Sequence, residues 1–111
     1  MKNYTRKEKE QMYEDALTYW GEMAQFDQTI EEMAELMLAI NKMKRKKFYG
    51  EYSDNDSIEE NYIEEICDVK LCLDQLIYMF KDNKRIEDKE NYKYSKFEGQ
   101  IVKQKERANK K

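Results

Sequence analysis

The sequence predicts an all-α fold, an antiparallel helical bundle built around a two-helix hairpin. Proline is absent and glycine occurs only three times in 111 residues, so little interrupts long helices. Two long segments repeat apolar residues at spacings of three and four, the period of one helix face. Charged residues make up 41% of the chain and no apolar run is long enough to cross a bilayer.

The first helix is expected over residues 4–20, where Tyr4, Met12, Tyr13, Ala16, Leu17 and Trp20 form a weak stripe that Gly21 ends. The second, residues 22–46, has the clearest periodicity, in Met23, Phe26, Ile30, Met33, Met37 and Ile40. Its last turn carries Lys44, Arg45, Lys46 and Lys47, cations that suit the negative end of a helix dipole. A loop follows over 48–56, with Asp56 or Ser57 as the N-cap of a third helix. That helix runs over 57–81 with the stripe Ile58, Tyr62, Ile66, Val69, Leu73, Leu76 and Phe80, and Asn83 stops it. A fourth helix over 86–106 carries only scattered apolar residues. Residues 1–106 are therefore expected to form one domain, with 107–111 a frayed basic tail.

Composition narrows the chemistry. The chain has no histidine, which excludes histidine-based zinc sites and serine–histidine nucleophiles. Cys67 and Cys72 are five apart, a spacing of neither a redox pair nor a zinc half-site, and are read as reduced core thiols. The N-terminus MKNYTRKEKEQ has no apolar core for a signal peptide, so a cytoplasmic protein without membrane partners is expected. A net charge of −3, from 21 basic and 24 acidic residues, argues against nucleic acid as the main partner.

Carboxylates, basic groups or a bound metal must then run any chemistry. Glu32/Glu35 and Glu65/Asp68 are pairs three apart, each on one face of its helix, so both members of a pair can reach one ion. At ~100° per residue, Glu65 lies about 40° from Val69, inside the apolar sector, and is expected to face another helix. Glu32 and Glu35 lie opposite the Ile30/Met33/Met37 stripe, but Leu36, Leu38 and Ala39 share their side. A helix apolar on both sides is covered on both sides, which one hairpin cannot do alone, so a homodimer or homotetramer is expected to complete the bundle. Converging carboxylates repel unless they bind protons or a cation. An all-oxygen set suits Mg²⁺, with Mn²⁺ as the alternative.

The pattern Glu31-Glu32-x-x-Glu35 followed by Glu65-x-x-Asp68, with a basic turn between the halves, resembles the signature of the MazG-like all-α nucleotide pyrophosphohydrolases. The segment WGEMAQFDQ (20–28) resembles their small single-domain bacterial and phage members, and the likeness spans residues 16–82. It implies hydrolysis of a nucleoside triphosphate to the monophosphate and pyrophosphate, by water attack at the α-phosphorus. It implies Glu32, Glu35, Glu65 and Asp68 as Mg²⁺ ligands, with Glu31 and Glu64 behind them or acting as bases for the water. Lys42, Lys44, Arg45 and Lys81 are candidates for phosphate contact, and Trp20 and Gln25 for the base pocket. Where some relatives carry an aromatic one turn after the motif aspartate, this chain has Cys72. The competing expectation is a non-catalytic helical interaction or regulatory protein whose acidic clusters are structural.

Overall fold

The computed structural model describes residues 1–51 and 55–110, which form four helices: α1 (Arg6–Trp20), α2 (Glu22–Tyr49), α3 (Asn55–Phe80) and α4 (Asn83–Asn109). The chain divides into two compact units, Met1–Met79 and Phe80–Lys111.

In the first unit, α1 starts at a capping box. The Thr5 hydroxyl accepts from the Glu8 amide at 3.1 Å, while the Glu8 carboxylate accepts from the Thr5 amide at 3.0 Å. This satisfies donors that the first turn leaves unpaired. Gly21 separates α1 from α2 with φ +88°, a conformation strained for any side chain, and its amide closes onto the Leu17 carbonyl at 3.0 Å. The second helix runs three residues beyond its expected end, to Tyr49, where Gly50 is left-handed. Because α3 begins at Asn55, Asp56 and Ser57 lie inside the helix and not at its cap; residues 52–54 of the expected loop lie outside the described residues.

Contacts between α2 and α3 run in opposite senses along the chain. Lys46 Nζ meets Glu59 at 2.7 Å, Glu32 meets Glu65 and Asp68, and Thr29 meets Cys72. The first helix also reaches α3: the rings of Tyr13 and Tyr78 are 6.0 Å apart, and Tyr78 Oη donates to Glu14 at 2.5 Å. The covered line of α2 is Gln25, Thr29, Glu32, Leu36, Ala39, Met43 and Lys46, at strict alternation of four and three, buried at Gln25, Thr29 and Ala39 and half-buried at the others. On α3 the matching line is Ile58, Tyr62, Glu65, Val69, Cys72, Leu76 and Met79. These seven-residue repeats are the spacing by which two helices keep one seam in contact.

The stripe expected to anchor α2 is elsewhere. Met23, Ile30 and Met37 are 66–74% exposed, and Phe26, Met33 and Ile40 are exposed with them. On α3, Ile66, Leu73 and Phe80 are likewise exposed. The chain buries the phase whose small residues, Thr29 and Ala39, let backbones approach, and leaves the bulkier phase uncovered. Among the described residues only Ala16, Ala39, Val69 and Cys72 are fully buried apolar groups, a thin core for a unit of this size.

In the second unit the α3–α4 connection replaces the stop expected at Asn83. The chain turns at Lys81, left-handed at φ +64°, and the Asp82 carboxylate accepts from the Arg85 amide at 3.2 Å. An aspartate at this position is a strong helix starter, so Asn83 opens α4. The fourth helix is about 40 Å long at 1.5 Å per residue and, unlike α1 and α2, buries none of its residues fully. No described helix is long and apolar enough to cross a membrane.

Candidate metal centre

The two seams place a carboxylate from each helix in the same space. Glu32 and Glu65 both sit in the middle of their lines, between Thr29 and Leu36 on α2 and between Tyr62 and Val69 on α3. Carboxylate oxygens of Glu32, Glu65 and Asp68 lie within 4.8 Å of one another. Glu35, one turn after Glu32, touches Glu65 but is not one of the carboxylates in that set among the described residues. The cluster has a floor and a rim: Glu32 and Glu65 are half-buried, whereas Glu35 and Asp68 are exposed.

The floor is chemically incomplete. Gln28 Nε2 donates to one oxygen of Glu32 at 2.8 Å. The other oxygen, Glu32 Oε2, and its counterpart Glu65 Oε2 are shut off from solvent and accept from no donor among the described residues. A buried acceptor left unmatched is costly, and two of them side by side more so. Burial raises the proton affinity of both carboxyls above the ordinary range, and the charges of Glu35 and Asp68 push them further in the same direction. Carboxylates are acceptors only, so these oxygens can be satisfied by a shared proton or by a cation.

An oxygen set of this span fits a small dication. Oxygens on opposite sides of Mg²⁺ are about 4.2 Å apart and those around Ca²⁺ about 4.6–5.2 Å, so a 4.8 Å group closes on either ion with little movement. The open rim at Asp68 and Glu35 leaves one side available to water or a ligand.

Below the cluster the seam continues through Thr29, Cys72 and Gln25. Thr29 Oγ1 donates to the Gln25 carbonyl at 2.8 Å and lies against Cys72, whose thiol burial pushes upward in pKa. Cys72 is thus a buried, free thiol, and Gln25 is 6% exposed. Cys67 is also free, but exposed, contrary to its reading as a core residue. Thr29 and Gln28 are neighbours of the site that sequence reading passed over. Their signal was present: Gln28 precedes Glu32 by one turn, and Thr29 shares its seven-residue phase.

The remaining candidates are spread out. Glu31 and Glu64 are exposed, each about 100° around its helix from its acidic neighbour. Lys42 lies two turns after Glu35 on nearly the same face, about 10 Å along the axis. Arg45 is a turn further and pairs with Glu51 at 3.7 Å, and Lys44 is exposed beside it. Trp20 ends α1 at 72% exposure, and Lys81 belongs to the second unit. Comparison with protein-family models, with curated proteins and with solved structures gives no match.

Proposed function

We propose that this chain is a MazG-like, divalent-cation-dependent pyrophosphohydrolase that cleaves a nucleoside triphosphate to the monophosphate and pyrophosphate. The observation that carries the reading is the pair of enclosed, unmatched oxygens, Glu32 Oε2 and Glu65 Oε2, on two residues of different helices whose carboxylates belong to one cluster. A merely solvated acidic face leaves its carboxylates to water and does not enclose them.

Glu32, Glu35, Glu65 and Asp68 would hold the ion, Mg²⁺ by preference for an all-oxygen set. When bound, Mg²⁺ neutralises phosphate charge and lowers the pKa of water beside it. Glu32 and Glu65 fix the position from the floor, and Gln28 orients the Glu32 carboxylate. Glu35 and Asp68 border the open side, where the phosphates enter. Glu31 and Glu64, exposed and about 100° around their helices from the ligands, stand behind them or act as the bases for water attacking the α-phosphorus. Lys42 is the cation best placed to meet the departing phosphates. Cys72 and Thr29 give this chain a small, closed wall where an aromatic would have offered a stacking surface.

The same reading includes a homo-oligomer in which a second copy covers the exposed seam from Met23 to Ile40. Burying six such side chains adds on the order of 1 kcal/mol each, counted on both copies, enough to offset much of the cost of association. The test is a panel of canonical and modified nucleoside triphosphates assayed for pyrophosphate release with Mg²⁺. Glu35→Gln and Asp68→Asn should each abolish turnover while leaving the helical circular-dichroism signal intact. Full activity in either variant, or no release from any triphosphate, favours the alternative of a non-catalytic helical interaction protein.

A further inference from the structure

The near-neutral total charge conceals a division between the two units. Residues 1–79 contain ten basic and eighteen acidic side chains, whereas residues 80–111 contain eleven and six. Within α4 the signs are sorted by face. At 100° per residue, Arg85, Lys89, Lys93, Lys96, Lys103 and Arg107 fall within an arc of about 80°. All five acidic residues of the helix lie outside that arc. All six basic residues are exposed, and none makes an ion pair with a described carboxylate. By contrast Lys84, off the arc, pairs with Asp88 at 2.6 Å. A helix that needs only solubility mixes its signs along every face, since i,i+4 pairs stabilise it. Sorting them forgoes those pairs and sets like charges beside one another.

Apolar groups adjoin the arc on one side. Ile86, Phe97, Ile101 and Tyr94 occupy the roughly 100° of helix surface that follows Lys93, with Glu90 among them, and an open groove of about 790 Å³ has Phe80, Arg85, Glu90, Lys93, Tyr94 and Phe97 in its wall. Tyr94 and Phe97 are more than half exposed. A continuous basic track with aromatic rings along one margin is the arrangement that holds a single nucleic-acid strand, phosphates on the cations and bases stacked on the rings. From Arg85 to Arg107 the helix rises about 33 Å, the length of about ten nucleotides at 3.4 Å each. An anionic membrane suits the face less well, because only four large apolar side chains line it and five acidic ones interrupt the helix.

We propose that the basic face of α4 binds single-stranded nucleic acid through its phosphate backbone, without sequence preference, independently of the carboxylate cluster. The probe is a fluorescein-labelled oligothymidylate of about 12 nucleotides, titrated with the full-length chain and followed by anisotropy. EDTA is present throughout, so the carboxylate cluster plays no part. Six phosphate contacts predict a fall in affinity of about 300-fold between 50 and 200 mM salt. Lys93→Gln/Lys96→Gln should lower the log–log salt slope by about 1.4. Lys84→Gln/Lys105→Gln, the same charge change off the arc, should leave it unchanged. Phe97→Ala should weaken binding about tenfold at every salt concentration. If the Lys93/Lys96 variant loses helix by circular dichroism, Lys89→Gln/Arg107→Gln asks the same question. The proposal is overturned by equal weakening in the on-arc and off-arc variants, or by no binding at 50 mM salt. Tighter binding to phosphatidylserine vesicles than to the oligonucleotide overturns it as well.

Discussion

Replacing Glu65 by glutamine should change stability in opposite directions with and without Mg²⁺. Without the ion, Glu65 is a half-buried carboxylate beside Glu32, Glu35 and Asp68, with one enclosed oxygen unmatched. Glutamine keeps the shape, removes the repulsion and adds two donors that Glu32 Oε2 can accept from, so the variant should melt higher than the parent in EDTA. With the ion, the ordering reverses. A site held at one hundred times its dissociation constant contributes about 2.7 kcal/mol, which for a chain of this length raises Tm by about 10 °C. If losing one of the carboxylates weakens the ion about 100-fold, the same Mg²⁺ concentration contributes only about 0.4 kcal/mol, a rise of about 2 °C. The assay is a thermal melt of both proteins by circular dichroism, in EDTA and across a Mg²⁺ series. Two results would refute the reasoning: a parent that ignores Mg²⁺, or a variant that melts lower in EDTA. The first denies the ion, and the second denies that the cluster is electrostatically strained.

The remaining predictions use other parts of the chain. Because the folded-state pKa values of Glu32 and Glu65 are raised, the unfolded chain holds fewer protons at these sites between about pH 4.3 and the raised values. Their contribution to stability is therefore lost as pH rises through that window. In EDTA these two groups should favour folding more at pH 5 than at pH 7, a difference that Glu32→Gln/Glu65→Gln should flatten in urea titrations. Thr5→Ala should cost about 1 kcal/mol, seen as a lower urea midpoint, since it unmakes the capping box; an unchanged midpoint would mean that α1 frays without consequence. Ile30→Lys with Met37→Lys should yield a monomer by light scattering while helicity is retained, whereas an oligomer that survives both changes would place the interface on another face.

Much of the helical framework was legible in the sequence. Gly21 marked a break because only glycine accepts its backbone angles, and the apolar period of α2 and α3 fixed the two long helices. The misplaced ends have local causes. Asn83 suggested a stop, but Asp82 supplies a side-chain acceptor to the Arg85 amide, so α4 opens at Asn83, three residues before its expected start. The Thr5-x-x-Glu8 box was written plainly in the sequence and passed over because α1 has so weak a stripe. The face of each helix was harder to read. Glu65 could be placed facing another helix because its angle from Val69 follows from helix geometry alone.

On α2 two seven-residue phases compete, and composition favours the wrong one. Met23, Phe26, Ile30, Met33, Met37 and Ile40 outweigh Gln25, Thr29, Glu32, Leu36, Ala39, Met43 and Lys46 in apolar area, yet the second set is the one the chain covers, wholly at Gln25, Thr29 and Ala39 and by half at the other four. Hydrophobicity measures how much a face gains by leaving water, but says nothing about whether its cover comes from the same chain. Small side chains decide that, since Thr29 and Ala39 allow a close neighbour where Met33 and Met37 do not. Once this phase is fixed, Glu32 has no route to open solvent for both oxygens, and Glu65 meets the same restriction from α3. A seam that accepts alanine, valine and cysteine elsewhere gains nothing in stability from two facing glutamates. Their presence there is intelligible if the stretch of seam between them takes up a positive charge, and the reversal of stability at Glu65→Gln is the form in which that cost and its compensation become measurable.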